Sequence, residues 1–185
     1  MDPQVAEARD FAQWAHGSID HRRKYTNEPY IVHPAEVAKI VSEVDTTPAV
    51  LSAAWLHDTV EDVPSVTIEE IYRRFGDTVG FYVECLTDAP PPTKMSREDR
   101  KAMDRLRLYR APAEVQTVKL ADLLSNTRSI VKHDPKFGRI YVREKALLLC
   151  VLTKGHPTLL GQAFKSLIDA ADQLHLDIFD RHATS

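Results

Sequence analysis

Apolar residues recur at helical spacing along almost the whole chain, and the runs break at Pro, Gly and polar clusters. Ala6, Phe11, Trp14 and Ala15 define a first helix, which Gly17 should end. A polar, basic loop from Asp20 to Pro29 follows. Val37, Ala38, Ile40, Val41 and Val44 then form an apolar face behind Pro34. Proline suits a first helical position because it has no N–H to leave unpaired there, so His33 is expected just outside that start. Pro48 should open one helix running through Trp55 to Asp62, with Pro64 ending it. Thr67 reads as an N-cap for a helix carrying Ile71, Tyr72 and Phe75, and Gly76 should break it before a further helix from Thr78 to Leu86. Ala89 to Lys94 is the clearest irregular segment, and Ser96-Arg97-Glu98-Asp99 resembles a capping box. Pro112 opens a long amphipathic helix through Val131, closed by Asp134-Pro135. Ile140 to Leu152 is strongly apolar and helical, stopping at Gly155. Pro157 starts a last helix with Leu160, Phe164, Leu167, Ile168, Ala171, Leu174 and Ile178 on its inner face. No segment reads as a strand. The pattern predicts an all-α fold of about eight or nine helices in one domain over 1–185.

Composition narrows the partners. The chain has 185 residues, 43% of them hydrophobic and 28% charged, which is enough apolar material for a sizeable core. Its formal net charge of −3 provides no global basic field, so nucleic acid is not an expected partner and an anionic ligand needs a local basic patch. No apolar run approaches the ~18 residues of a membrane span, and Met-Asp-Pro-Gln does not begin a signal peptide. Cys85 and Cys150 lack CxxC pairing and read as buried free thiols in a reducing, cytoplasmic setting. Oligomeric state is not legible.

One stretch breaks the ordinary pattern. An apolar run ends in His57-Asp58-Thr59-Val60-Glu61-Asp62. On one helix, at about 3.6 residues per turn, His57 and Glu61 stand at i,i+4, as do Asp58 and Asp62. Three acids so placed repel one another unless a cation sits among them. Two ligands would leave a metal short of partners. His33 and Asp122 are the strongest further candidates, since Asp122 interrupts the apolar Val118 to Leu124 run. Taken singly, His33 also fits a structural histidine, and Asp122 a solvent-facing residue of an amphipathic helix. Together, mixed imidazole and carboxylate ligands suit Mn²⁺ or another divalent transition metal with positions left open for water and substrate.

The order His33, His57-Asp58, Asp122 resembles the ligand pattern of the HD phosphohydrolase superfamily. Three blocks sharpen the likeness: Arg23-Lys24 before Glu28-Pro29-Tyr30-Ile31-Val32-His33-Pro34, then Ala54 to Asp62, then Lys119-Leu120-Ala121-Asp122-Leu123-Leu124-Ser125-Asn126. Phe75-Gly76 and Leu86-Thr87-Asp88 punctuate the middle. From about Ala6 to Lys145 the chain is similar to the hydrolase domain of the RelA/SpoT superfamily, and more narrowly to its stand-alone small alarmone hydrolases.

That resemblance implies one Mn²⁺ ion held by His33, His57, Asp58 and Asp122. It also implies that Glu61 and Asp62 position and activate water and assist proton transfer. The implied reaction removes the 3′-pyrophosphate of ppGpp or pppGpp, leaving GDP or GTP plus pyrophosphate. Arg23, Lys24 and Asn126 would contact the nucleotide, with Ser129 on the same helix face. Arg97, Arg100, Lys101 and Arg143 would face the phosphates. The loop from Arg23 to Pro29 is a residue longer than in the long enzymes, so guanine and adenine alarmones, including ppApp, both stay open. The alternatives are another HD-type phosphatase acting on NADPH or a nucleoside monophosphate, or a silent nucleotide-binding regulator.

Overall fold

The computed structural model describes residues 2–88 and 95–177, so the expected irregular segment Ala89 to Lys94 and Ile178 lie outside the described residues. Nine helices appear among the described residues: α1 (Pro3–Ser18), α2 (Val32–Ser42), α3 (Pro48–Leu56), α4 (Thr59–Asp62), α5 (Ile68–Leu86), α6 (Arg97–Arg110), α7 (Ala113–His133), α8 (Pro135–Leu149) and α9 (Pro157–Gln173). The fold is all-α. Among the described residues the sole β feature is an isolated antiparallel bridge between Arg22 and Pro29, which closes the basic loop. No described helix is long and apolar enough to cross a membrane.

α7 is the central element. It buries residues on most of its circumference, from Val115 to Val131, and packs against α2, α8, α9, α5 and α3. α3 completes the layer by packing on α1, α2 and α5. Leu56, Ile71, Leu108, Leu120, Leu123, Leu149 and Leu152 are among the largest fully buried side chains of the resulting core. A helix surrounded in this way is apolar on nearly every face, so a polar residue on it is held in the interior at a cost unless partnered.

The caps follow the sequence. Asp2, Thr67, Ser96 and Asp134 each accept a first-turn backbone N–H at the start of α1, α5, α6 and α8. Gly76 breaks α5 as expected, at φ 83°, a left-handed conformation that glycine adopts without Cβ strain.

Several expectations need correction. The helix expected from Pro48 to Asp62 is two helices, with His57-Asp58 in a turn between α3 and α4. Side chains intrude on the ladder there: Thr59 Oγ1 donates to the Leu56 carbonyl at 2.8 Å, and His57 Nδ1 lies 2.8 Å from the Ala54 carbonyl. α2 begins at Val32, so His33 lies inside its first turn. The Tyr30 carbonyl already accepts the His33 N–H, and Pro34 still falls among first-turn positions that need no N–H partner. α8 begins at Pro135, and Ile140 is 51% exposed. On α9 the buried face is Leu159, Ala163, Leu167, Ala170 and Ala171, which leaves Phe164 and Ile168 exposed. Both cysteines are free, but Cys150 is exposed and Cys85 half-buried.

Candidate metal and catalytic site

Three elements deliver the polar cluster. α2 carries His33, the α3–α4 turn carries His57 and Asp58, and α7 carries Asp122. Both imidazoles and Asp122 are buried, at 1%, 2% and 6% exposure. His33 Nε2 lies 3.2 Å from Asp122 Oδ1 and 3.5 Å from Asp58 Oδ2. His57 Nε2 lies 3.1 Å from Asp58 Oδ2 and 4.0 Å from Asp122 Oδ1. The break between α3 and α4 is what turns adjacent His57 and Asp58 toward one point.

The far side of each ring is occupied. His57 Nδ1 donates to the Ala54 carbonyl, and His33 Nδ1 faces Ser125 Oγ at 3.0 Å. Both Nε2 atoms are buried without a hydrogen-bond partner, although carboxylate oxygens stand close by. Unpartnered, inward-facing imidazole nitrogens beside two carboxylates are what a divalent ion requires, so the residues fit one. His33, His57 and Asp58 each offer a ligand atom within 4.8 Å of the others, and Asp122 closes the set from α7.

Charge is concentrated here. Burial opposes ionisation of Asp122, but the Lys119 ammonium at 2.8 Å, with His33 and His57, holds its carboxyl well below the usual range. Burial likewise opposes ionisation of Asp58, yet His57 keeps it low. Burial disfavours the His57 imidazolium, but Asp58 and Asp122 outweigh it and push His57 up to about 9. The Tyr30 hydroxyl donates to Asp58 Oδ2 at 2.7 Å.

Glu61 and Asp62 sit at the edge of this cluster on α4. Burial, then Asp88, raises Glu61, whose Oε2 accepts the Asp88 N–H at 3.2 Å. Burial, then Asp58 and Glu61, pushes Asp62 up to about 7. A carboxyl group placed like that of Asp62 can both take and give a proton near neutral pH. His21 stacks on the Tyr30 ring, with centroids 3.8 Å apart, and its Nδ1 lies 3.2 Å from His16 Nδ1 and 3.9 Å from Asp62 Oδ2.

The basic candidates divide. The Arg23 guanidinium reaches Asn126 Oδ1 at 3.3 Å, and Asn126 Nδ2 donates to Asp122 Oδ1 at 2.6 Å, so both join the cluster. Arg23 also lies over the Tyr30 ring, 5.7 Å from its centroid. Lys24 is turned outward toward Tyr25 and Asp134. On α6, Lys101 pairs with Asp88 and Asp104, and Arg97 forks onto Glu144 at 2.6 and 3.0 Å. Arg100 is half-buried. Ser129 is half-buried and its carbonyl accepts from His133 Nδ1. Arg143 is exposed, two positions from Tyr141 and Lys145 and so on another side of α8. Lys145 is brought toward Lys119, Lys101, Asp88 and Asp122, and burial followed by Lys119 lowers it to about 8.

Sequence reasoning assigned no role to Tyr30, Lys119, Ser125, Asp88 or Arg107, all of which structure this region. Lys119, at i,i+3 from Asp122, carried a usable signal. Arg107 binds Asp88 and the Thr87 carbonyl from twenty residues away, a contact no local pattern announces.

The HD domain family matches residues 8–147, over half of the chain, and the chain belongs to that family. Within it, the kinship runs to RelA/SpoT-type proteins. The Xenopus tropicalis protein named guanosine-3′,5′-bis(diphosphate) 3′-pyrophosphohydrolase MESH1 is 40% identical over 137 residues, covering 71% of this chain and 72% of that one. A protein of Aquifex aeolicus (strain VF5), named guanosine-3′,5′-bis(diphosphate) 3′-pyrophosphohydrolase, is 37% identical over 69% of this chain. This chain spans only 18% of the Aquifex protein and 17% of a relative from Oryza sativa subsp. japonica. A solved structure described as "A metazoan ortholog of SpoT hydrolyzes ppGpp and plays a role in starvation responses" superposes with a TM-score of 0.79 at 25% identity, over 96% of this chain and 98% of that one.

Proposed function

We propose that this chain hydrolyses the 3′-pyrophosphate of purine alarmone nucleotides with one Mn²⁺ ion, releasing the nucleoside 5′-diphosphate or 5′-triphosphate and pyrophosphate. The observation that carries the reading is the convergence of two unpartnered imidazole nitrogens and two carboxylates beside the Glu61-Asp62 pair. The HD-domain match and the relatives named as guanosine-3′,5′-bis(diphosphate) 3′-pyrophosphohydrolases support it.

His33, His57, Asp58 and Asp122 would hold the ion. When bound, it makes water more acidic and offsets charge on the phosphoryl oxygens. The remaining steps fall to the chain. Glu61 takes the proton of the attacking water as its oxygen bonds to phosphorus. The bond between phosphorus and the ribose 3′-oxygen breaks, and Asp62, which holds a proton near neutral pH, supplies one to that oxygen. Arg23 packs on the base and Asn126 steadies the nucleotide, since a planar guanidinium suits a purine face. The polyphosphate would draw on Lys101, Lys119 and Lys145, whose charges are partly met by Asp88, Asp104 and Asp122.

The test is a panel of ppGpp, pppGpp, ppApp and NADPH with Mn²⁺ and product identification. Pyrophosphate release from a guanine or adenine alarmone is expected. Orthophosphate release from NADPH alone, or no turnover of any alarmone, would overturn the reading.

A further inference from the structure

His33 and Glu36 stand one turn apart on α2, and Ser125 reaches between them from α7. His33 Nδ1 lies 3.0 Å from Ser125 Oγ, and the Ser125 hydroxyl donates to Glu36 Oε2 at 2.7 Å. A hydroxyl has one proton, and an ionised carboxylate can only accept. With its proton given to Glu36, Ser125 can only accept from His33. Nδ1 of His33 therefore carries the ring proton, and Nε2 keeps its lone pair toward Asp58 and Asp122.

We propose that Glu36, acting through Ser125, is a positioning residue that fixes the orientation and tautomer of His33 for the divalent ion. The inference rests on the metal reading above and adds a residue that the ligand pattern does not contain. His57 explains why Glu36 is needed. The partner of His57 Nδ1 is the Ala54 carbonyl, which has no proton to give and so permits one tautomer. The partner of His33 is a serine, which can donate or accept. Without an acceptor of its own, Ser125 could donate to Nδ1 and move the ring proton to Nε2, where it would face the ion. Glu36 removes that choice. Its carboxylate is exposed, on the wall of a groove between α2, α7 and α9, while the ring it orders is 1% exposed. The charge that polarises the relay thus stays solvated and avoids the penalty of burial.

The test is calorimetric titration of Mn²⁺ into the metal-free protein, with melting temperature measured alongside. Ser125→Ala and Glu36→Ala should bind Mn²⁺ on the order of 10–100-fold more weakly, the usual range for losing an outer partner of a ligating histidine. Glu36→Gln should restore near-wild-type affinity, because its amide oxygen still accepts from Ser125. The Glu36 variants should melt at the wild-type temperature without metal. Wild-type affinity in both alanine variants overturns the proposal. So does a glutamine variant as weak as the alanine one, or a loss of affinity that tracks a lower melting temperature. Failure of the wild-type protein to bind Mn²⁺ at all is a separate result, which would remove the metal centre and this inference together.

Discussion

At the scale of single residues, the cluster separates, on the proposed reading, into groups that would hold the ion and groups that would transfer protons. Asp58 touches both imidazoles and the Tyr30 hydroxyl, so Asp58→Ala should lose bound metal and turnover together, read by elemental analysis and an alarmone assay. Glu61 contacts no imidazole of the cluster and instead accepts the Asp88 N–H. Glu61→Gln should therefore keep its metal and lose about 10²–10⁴-fold in kcat, the usual worth of a positioned general base. Normal turnover in that variant would end its catalytic assignment. Arg23 lies over Tyr30 and against Asn126, and on the proposed reading it would grip the nucleotide equally before and during reaction. Arg23→Ala should mainly raise KM with kcat little changed, in steady-state kinetics.

At the scale of elements, two interruptions of helix matter more than the helices. The α3–α4 turn is stabilised by Thr59 Oγ1 on the Leu56 carbonyl, and it aims Asp58 at His33 instead of along a helix face. The Gly76 kink lets the two halves of α5 follow different directions. Gly76→Ala forces a Cβ into the left-handed region although open space surrounds it, so its penalty comes from the backbone alone. The expected loss is about 1–3 kcal/mol, measured by urea unfolding.

At the scale of the whole molecule, protons and metal compete for one centre. In the metal-free fold His57 is raised to about 9 and Asp62 to about 7, both above their unfolded values of 6.5 and 3.8. At these two groups the native state binds more protons than the unfolded chain, so the stability they contribute is lost as pH rises through those values, against a smaller opposite contribution from His16 and Lys145, which are lowered to about 4 and about 8. Between about pH 6.5 and 8, melting temperature should fall for the protein treated with chelator. Saturating Mn²⁺ should flatten or reverse that slope, because its ligands must be deprotonated. A metal-free melting temperature that rises across this window would contradict the picture.

The sequence by itself determined the all-α class, most of the helices and the residue types of the candidate site. Apolar periodicity, prolines and caps located most elements, because those signals act over a few residues. His57, Asp58 and Asp122 stood out because polar and charged groups beside apolar runs are costly unless something compensates them, and His33 by its place at a helix start. Tertiary structure decided what local signals cannot carry. The turn at His57-Asp58 depends on side chains that claim backbone carbonyls inside an otherwise helical pattern. The inner face of α9 is set by its contact with α7 and α8, which buries Leu159 and Ala163 and leaves Phe164 outside. Arg97 meets Glu144, and Ser125 meets His33 and Glu36, only because helices distant in sequence pack side by side. A chain encodes its ligands as residue types. Which nitrogen of His33 faces Asp58 and Asp122 is fixed by Ser125, supplied from another helix.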